Sequence, residues 1–222
     1  MSVRTLEPKT LWNAFADLNS VPRPSKKEEK VRQFMITFGK KLGLETLVDD
    51  IGNVIIKKPA SPGMESRTTV ILQSHLDMVH QKNETTRFDF ENEGIKMKVE
   101  GDWVLAEGTT LGADNGIGVA AIMALLEAQD LTHPPLEAFF TIDEETGMTG
   151  AKHMNGKLLD GKILLNLDTE DDDELSIGCA GGIDTNTTYT YQETTITEGW
   201  EVLKIKLRGL LGGHSGMDIH RG

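Results

Sequence analysis

Three short apolar runs in this chain each end in side chains able to bind a metal ion. Val70-Ile71-Leu72 leads to His75 and Asp77, Phe139-Phe140-Thr141-Ile142 to Asp143, Glu144 and Glu145, and Ile163-Leu164-Leu165 to Asp168. One histidine among several carboxylates is a donor set that suits zinc, with manganese or cobalt as substitutes. Groups so distant in sequence can meet at the carboxyl ends of neighbouring strands, which in open α/β sheets form the ligand crevice.

Each signal has a plainer reading beside the functional one. His75-Leu76-Asp77 alternates on an extended chain, so both side chains share a face and the carboxylate can orient the imidazole; a lone His-x-Asp is also common as incidental polarity. Asp114 lies in Gly112-Ala113-Asp114-Asn115-Gly116-Ile117-Gly118. That run matches neither G-x-G-x-x-G nor a G-K-[ST] ending, so a phosphate loop is excluded, and Asp114 is left as a ligand or a helix cap. Glu144 and Glu145 are adjacent, so in a turn one can bind metal while the other serves as general base; an acidic turn is the alternative. Residues 170 to 174 lack the alternating ligands and central glycine of an EF-hand and read as a solvated acidic loop. His214 sits among glycines that allow close backbone approach to a ligand, or simply a turn. His80, His133, His153 and His220 have no comparable context, and Cys179, among small residues, reads as packed rather than nucleophilic.

The elements that must position these groups follow from periodicity. Leu11, Trp12, Phe15 and Leu18 predict a helix over residues 9 to 19, and Val31, Phe34, Met35 and Phe38 a second, with Ser25 as N-cap and Glu28 closing a capping box. Apolar, β-branched runs at residues 53 to 57, 69 to 73, 103 to 106, 136 to 142 and 163 to 167 predict strands, several of them buried. Residues 116 to 129 are apolar on nearly every side and predict a deeply buried helix. Alternating strands and helices imply an α/β fold, a mixed or largely parallel sheet flanked by helices over residues 1 to 184. From residue 185 the composition changes: residues 185 to 197 and 202 to 207 predict an antiparallel hairpin, the first strands of an α+β second domain over 185 to 222.

The chain has 222 residues, 38% hydrophobic and 26% charged, an ordinary soluble composition. A net charge of -12 disfavours nucleic acid and anionic membrane surfaces as partners. One cysteine, no signal-peptide h-region and no long apolar run point to a cytoplasmic protein.

Taken together, His75-Leu76-Asp77, Gly112-Ala113-Asp114-Asn115-Gly116, Glu144-Glu145-Thr146-Gly147, Asp168 and Gly212-Gly213-His214-Ser215-Gly216 resemble the co-catalytic zinc exopeptidases and deacylases. Gln81-Lys82-Asn83, residues 108 to 118 and residues 178 to 184 are similar to the aminoacyl-histidine dipeptidase subgroup. The resemblance implies two zinc ions per full-length subunit and a dipeptide substrate. Asp114 would bridge the ions, His75 and Asp168 would complete one site, and Glu145 would serve the other. Glu144 would act as general base on a metal-activated water, Asp77 would orient His75, and the Asp114-Asn115 peptide would be cis. His214, swinging from a lid or a partner subunit, would stabilise the oxyanion, and the lid would support a homodimer. Relatives use a last histidine ligand for which these 222 residues offer no match, so this piece is expected to bind one ion more firmly than the other and to hydrolyse little. A related aminopeptidase, carboxypeptidase or N-acyl-amino-acid amidohydrolase stays open, as does a non-catalytic metal-binding module.

Overall fold

Ala14, Phe15 and Leu18 turn inward from helix α1 (Lys9–Asn19), and Val31 and Met35 do so from α2 (Glu29–Lys41). The spacing is that of one helical face packed on a core. The computed structural model describes every residue except 1, 170 to 172, 179, 180, 182, 184, 210 to 219, 221 and 222. It divides into two units, Met1–Glu174 and Leu175–Gly222.

The first unit holds a five-stranded sheet in the order β1 (Glu45–Val48), β2 (Val54–Lys58), β6 (Leu136–Thr141), β3 (Val70–His75), β7 (Ile163–Asn166). β1–β2 and β2–β6 are antiparallel, whereas β6–β3 and β3–β7 are parallel. Alternation along the strands separates two apolar layers. Val54, Ile56, Leu72, Ala138 and Phe140 face α1, α2 and α3 (Ala113–Glu127). Ile55, Ile71 and Phe139 face Met154, Leu158 and Leu159, beyond the single-turn helix α4 (Thr149–Lys152). Val119, Ile122, Met123 and Leu126 of α3 are buried, each contributing about 1.5–3 kcal/mol. Ile117 remains partly exposed, so α3 is covered on most but not all sides. Glu137, buried in β6, accepts the amides of Asp160 and Gly161 and pairs with Lys57 at 2.8 Å.

The parallel trio matters for function because its three carboxyl ends lie at one edge of the sheet. His75 is opposite Thr141, and Gln73 is opposite Asn166. The segments leaving β3, β6 and β7 therefore emerge side by side.

Several expectations need correction. Ser25 does not cap α2; the cap position is Glu28, without a side-chain capping bond. Ser25 Oγ instead donates to Asp77 Oδ2 at 2.8 Å, and Glu28 Oε1 accepts the amides of Lys26 and Asp143. Long-range acceptors and donors outcompete the local box. Residues 103 to 106 do form a strand, β5 (Trp103–Ala106), but it pairs only with β4 (Met97–Glu100) in a separate hairpin and leaves Trp103 73% exposed. Ile163, Leu164 and Leu165 of β7, at the sheet edge, are about half exposed.

In the second unit, residues 185 to 197 and 202 to 207 form no strand. Val202, Ile205 and Leu207 are almost fully exposed. A two-stranded hairpin is marginal in water without a surface to bury its apolar face. Cys179 and His214 lie outside the described residues.

Candidate metal centre

His75 is the last residue of β3 and is 1% exposed. Its Nδ1 faces Asp77, 3.1 Å from the backbone carbonyl and 3.3 Å from Oδ1. Placing the Nδ1 proton on that side leaves Nε2 aimed at the carboxylates, 3.0 Å from Asp114 Oδ1, 3.8 Å from Asp168 Oδ2 and 3.9 Å from Glu144 Oε2. This is the tautomer a metal ligand needs. Burial would lower the imidazole's pKa, but hydrogen bonds to Asp114 and Asp77, with the charges of Asp77 and Asp168, outweigh it and hold it up to about 10.

Asp77 is fully buried, and its two oxygens are committed. Oδ1 accepts the Glu144 amide at 3.0 Å, and Oδ2 accepts the Glu145 amide at 3.2 Å together with the Ser25 hydroxyl. Burial pushes this carboxyl up, yet His75 and the donors around it bring it below its ordinary value. One side chain thus fixes the imidazole and the backbone that carries both glutamates.

The glutamate turn is built by Asp143. At φ 51 it occupies the left-handed region, which Asp tolerates better than most residues. Its carboxylate accepts the hydroxyls of Thr146 and Thr149. Glu28, Asp77 and Asp143 also lie close enough to offer three ligand atoms. Amides and hydroxyls already occupy that trio, so it organises the turn.

Asp114 is presented from the first turn of α3, after Gly112 at φ 68. A left-handed backbone there suits glycine. Asp114 and Asn115 depart from helical angles and the peptide between them is cis. Asp114 thus stands at a kink where regular helical angles have not yet begun. Asn115 Nδ2 donates to the Leu167 carbonyl at 3.1 Å and to Asp168 Oδ1 at 2.8 Å, tying α3 to the chain leaving β7.

His75, Asp114 and Glu145 form one set whose ligand atoms all lie within 4.8 Å of one another, and His75, Glu144 and Asp168 form another. Five of the residues singled out by sequence, with Asp77 behind them, therefore meet at one place. Burial raises the carboxyls of Glu144 and Asp168, and raises Glu145 to about 7 with Asp114 adding to it. The fit to a divalent cation follows from the donor chemistry. An imidazole nitrogen and four carboxylates are gathered in partial burial, with Glu144, Glu145 and Asp168 pushed up first by burial and then by neighbouring carboxylates. His80 packs its ring on Phe90, and His133 Nδ1 lies 2.8 Å from the Pro134 carbonyl; neither joins the cluster. Ser25, Glu28 and Asn115 were not assigned these roles from sequence. Ser25 and Glu28 carried only a local capping signature, and Asn115 had no signal beyond its place beside Asp114.

A mixed sheet whose parallel strands end beside such a donor cluster is an α/β domain with a candidate metal site. The profile of Peptidase family M20/M25/M40 matches residues 71–206, and the chain belongs to that family. It is 45% identical over 217 residues to the cytosol non-specific dipeptidase of Escherichia coli (strain K12), covering 98% of this chain and 45% of that protein. The crystal structure of aminoacylhistidine dipeptidase from Vibrio alginolyticus superimposes with a TM-score of 0.76 at 48% identity, over 78% of this chain and 35% of that one. Aminopeptidase PepT from Bacillus cereus does so at 0.62 and 26% identity, over 73% of this chain and 44% of that one. The chain thus spans less than half the length of each. No helix among the described residues is long and apolar enough to cross a membrane.

Proposed function

We propose that the cluster holds two divalent cations, zinc by its donor set, with His75, Asp114, Glu145 and Asp168 as ligands, and that the full-length protein hydrolyses dipeptides. The reading rests on one observation: donors from the ends of β6 and β7 and from the start of α3 converge on His75 Nε2 at the end of β3. It is supported by the names of the relatives, a non-specific dipeptidase and an aminoacylhistidine dipeptidase.

Bound metal would supply Lewis-acid polarisation of the scissile carbonyl and lower the pKa of a water far below its bulk value, toward about 7. The chain's own residues do the rest. Glu144, partly buried with its carboxyl raised, is basic enough to take a proton and pass it to the leaving amine. Asp77 keeps the imidazole oriented. Residues 185 to 222 begin a lid through which subunits pair, and His214 stabilises the oxyanion. A cytoplasmic location fits the name of the Escherichia coli relative.

Elemental analysis of the protein and of its Asp114→Ala variant, with a substrate panel on the full-length enzyme, tests this. Bound zinc lost in the variant, with cleavage limited to two-residue substrates bearing a free amino terminus, is the expected result. Cleavage of longer peptides or of acylated amino acids would move the assignment to an aminopeptidase, carboxypeptidase or amidohydrolase. Absence of metal from folded, zinc-reconstituted protein would sink it.

A further inference from the structure

Arg23, in the loop between α1 and α2, is among the most buried side chains of the molecule, at 1% exposure. Its Nη1 donates to the carbonyls of Leu76 at 3.2 Å and Asp77 at 3.1 Å. Its Nη2 donates to Asn19 Oδ1 at 2.8 Å and to the Gly112 carbonyl at 2.5 Å. The Arg23 carbonyl in turn accepts the Met78 amide at 3.1 Å. Asn19, fully buried, completes the bridge by donating Nδ2 to the Leu111 carbonyl at 3.2 Å.

These acceptors belong to two segments. Leu76 and Asp77 directly follow His75, whereas Leu111 and Gly112 lead into Asp114. We propose that Arg23, braced by Asn19, is a positioning residue for the metal centre, its guanidinium tying the segment that leaves β3 to the turn that presents Asp114 and so setting the separation of His75 and Asp114. The inference rests on the metal-centre reading above.

Two further features favour positioning over mere packing. A Cβ on Gly112 would meet Nη2 at 2.5 Å and one on Gly116 would meet it at 2.6 Å. Gly116 lies within α3, where glycine is unfavourable by about 0.5–1 kcal/mol, and close approach of the guanidinium accounts for it. Arg23 also carries positive charge beside an acidic cluster. Burial lowers it to about 10 against the pull of Asp77, Asp114 and Glu145, so it stays charged at neutral pH. Lysine could supply that charge but not the planar fork that reaches two segments at once.

The test uses full-length protein loaded with cobalt, reading the visible cobalt spectrum, the metal affinity by chelator competition, and the division of any activity loss between kcat and KM. Arg23→Gln is expected to weaken metal about 10- to 100-fold, to change the cobalt spectrum and to lower kcat with KM little altered; Arg23→Lys should recover part of the affinity but not the wild-type spectrum. Asn19→Ala keeps the arginine and loosens one anchor, so it should shift the spectrum in the same direction by less, and it decides the matter if Arg23→Gln does not fold. A folded Arg23→Gln with wild-type spectrum and affinity, or an unshifted Asn19→Ala where Arg23→Gln cannot be made, would overturn the inference alone. Wild-type protein that takes up no cobalt would overturn the metal-centre reading and this inference with it.

Discussion

Asp77 holds the backbone of Glu144: its Oδ1 accepts the Glu144 amide at 3.0 Å while lying 3.3 Å from His75 Nδ1. The same buried carboxylate takes the Glu145 amide on its other oxygen. Orientation of the imidazole and of the two glutamates is therefore one problem solved by one side chain.

Asp77→Asn should expose that dependence, because the amide replaces one acceptor with a donor facing an N–H or the Ser25 hydroxyl. Metal affinity is expected to fall about 10- to 100-fold and stability by about 1–3 kcal/mol. Chelator competition and urea unfolding measure the two separately, and loss of stability with unchanged affinity would show that Asp77 serves the fold alone.

Glu144 and Glu145 are adjacent yet assigned different work, so their amide variants should differ. In the full-length enzyme Glu144→Gln is expected to keep its metal and lose about 10²- to 10⁴-fold in kcat. Glu145→Gln should lose metal. Metal analysis beside single-substrate kinetics checks both, and equal metal loss in the two variants would contradict the division.

The metal-free protein should become less stable as pH rises. His75 is raised from 6.5 to about 10 and Glu145 from 4.5 to about 7. A folded-state pKa above the unfolded one means that the folded protein holds the proton more tightly. The stabilisation is complete below the unfolded pKa and is lost as pH passes the folded one, from about pH 4.5 to 7 for Glu145 and from about 6.5 to 10 for His75. Melting of chelator-treated protein should therefore fall by several degrees between pH 6 and pH 9. Zinc competes with the same protons and should reverse that trend. A melting temperature that rises over this range without metal would contradict the assignment.

Away from the centre, Glu137→Leu would leave Lys57 and the amides of Asp160 and Gly161 without their buried acceptor. A loss of about 1–3 kcal/mol is expected. Urea unfolding measures it, with metal affinity unchanged because the residue lies in β6 well before the Glu144–Glu145 turn.

Much of the frame was legible from local pattern. Phe15 and Leu18 announce their helix because a helical face repeats every three to four residues, and Ile56, Leu72 and Phe140 announce buried strands because both sheet faces are covered. The weak spots were β1 and β4, where Glu45–Val48 and Met97–Glu100 mix exposed and partly buried positions too thinly to stand out. The hairpin expected over residues 185 to 207 differs for another reason: alternation signals a face that must be buried for strands to form, and Val202, Ile205 and Leu207 are exposed.

The chemistry divides in the same way. His75, Glu144, Glu145 and Asp168 could be nominated from residue type and position, since metal-binding groups are few and strand ends are marked by where apolar runs stop, whereas Asp114, in a glycine-rich turn before a helix, stood as ligand or cap until the family resemblance singled it out. Their partners could not. Ser25 and Glu28 look like a capping box, and Arg23, between two prolines, carries no signal of its own, because hydrogen-bonding capacity is local but the acceptor that claims it lies more than fifty residues away. Which carbonyl, amide or carboxylate satisfies a buried polar group is settled by packing, and packing brought Asp77 to Ser25 and Gly112 to Arg23.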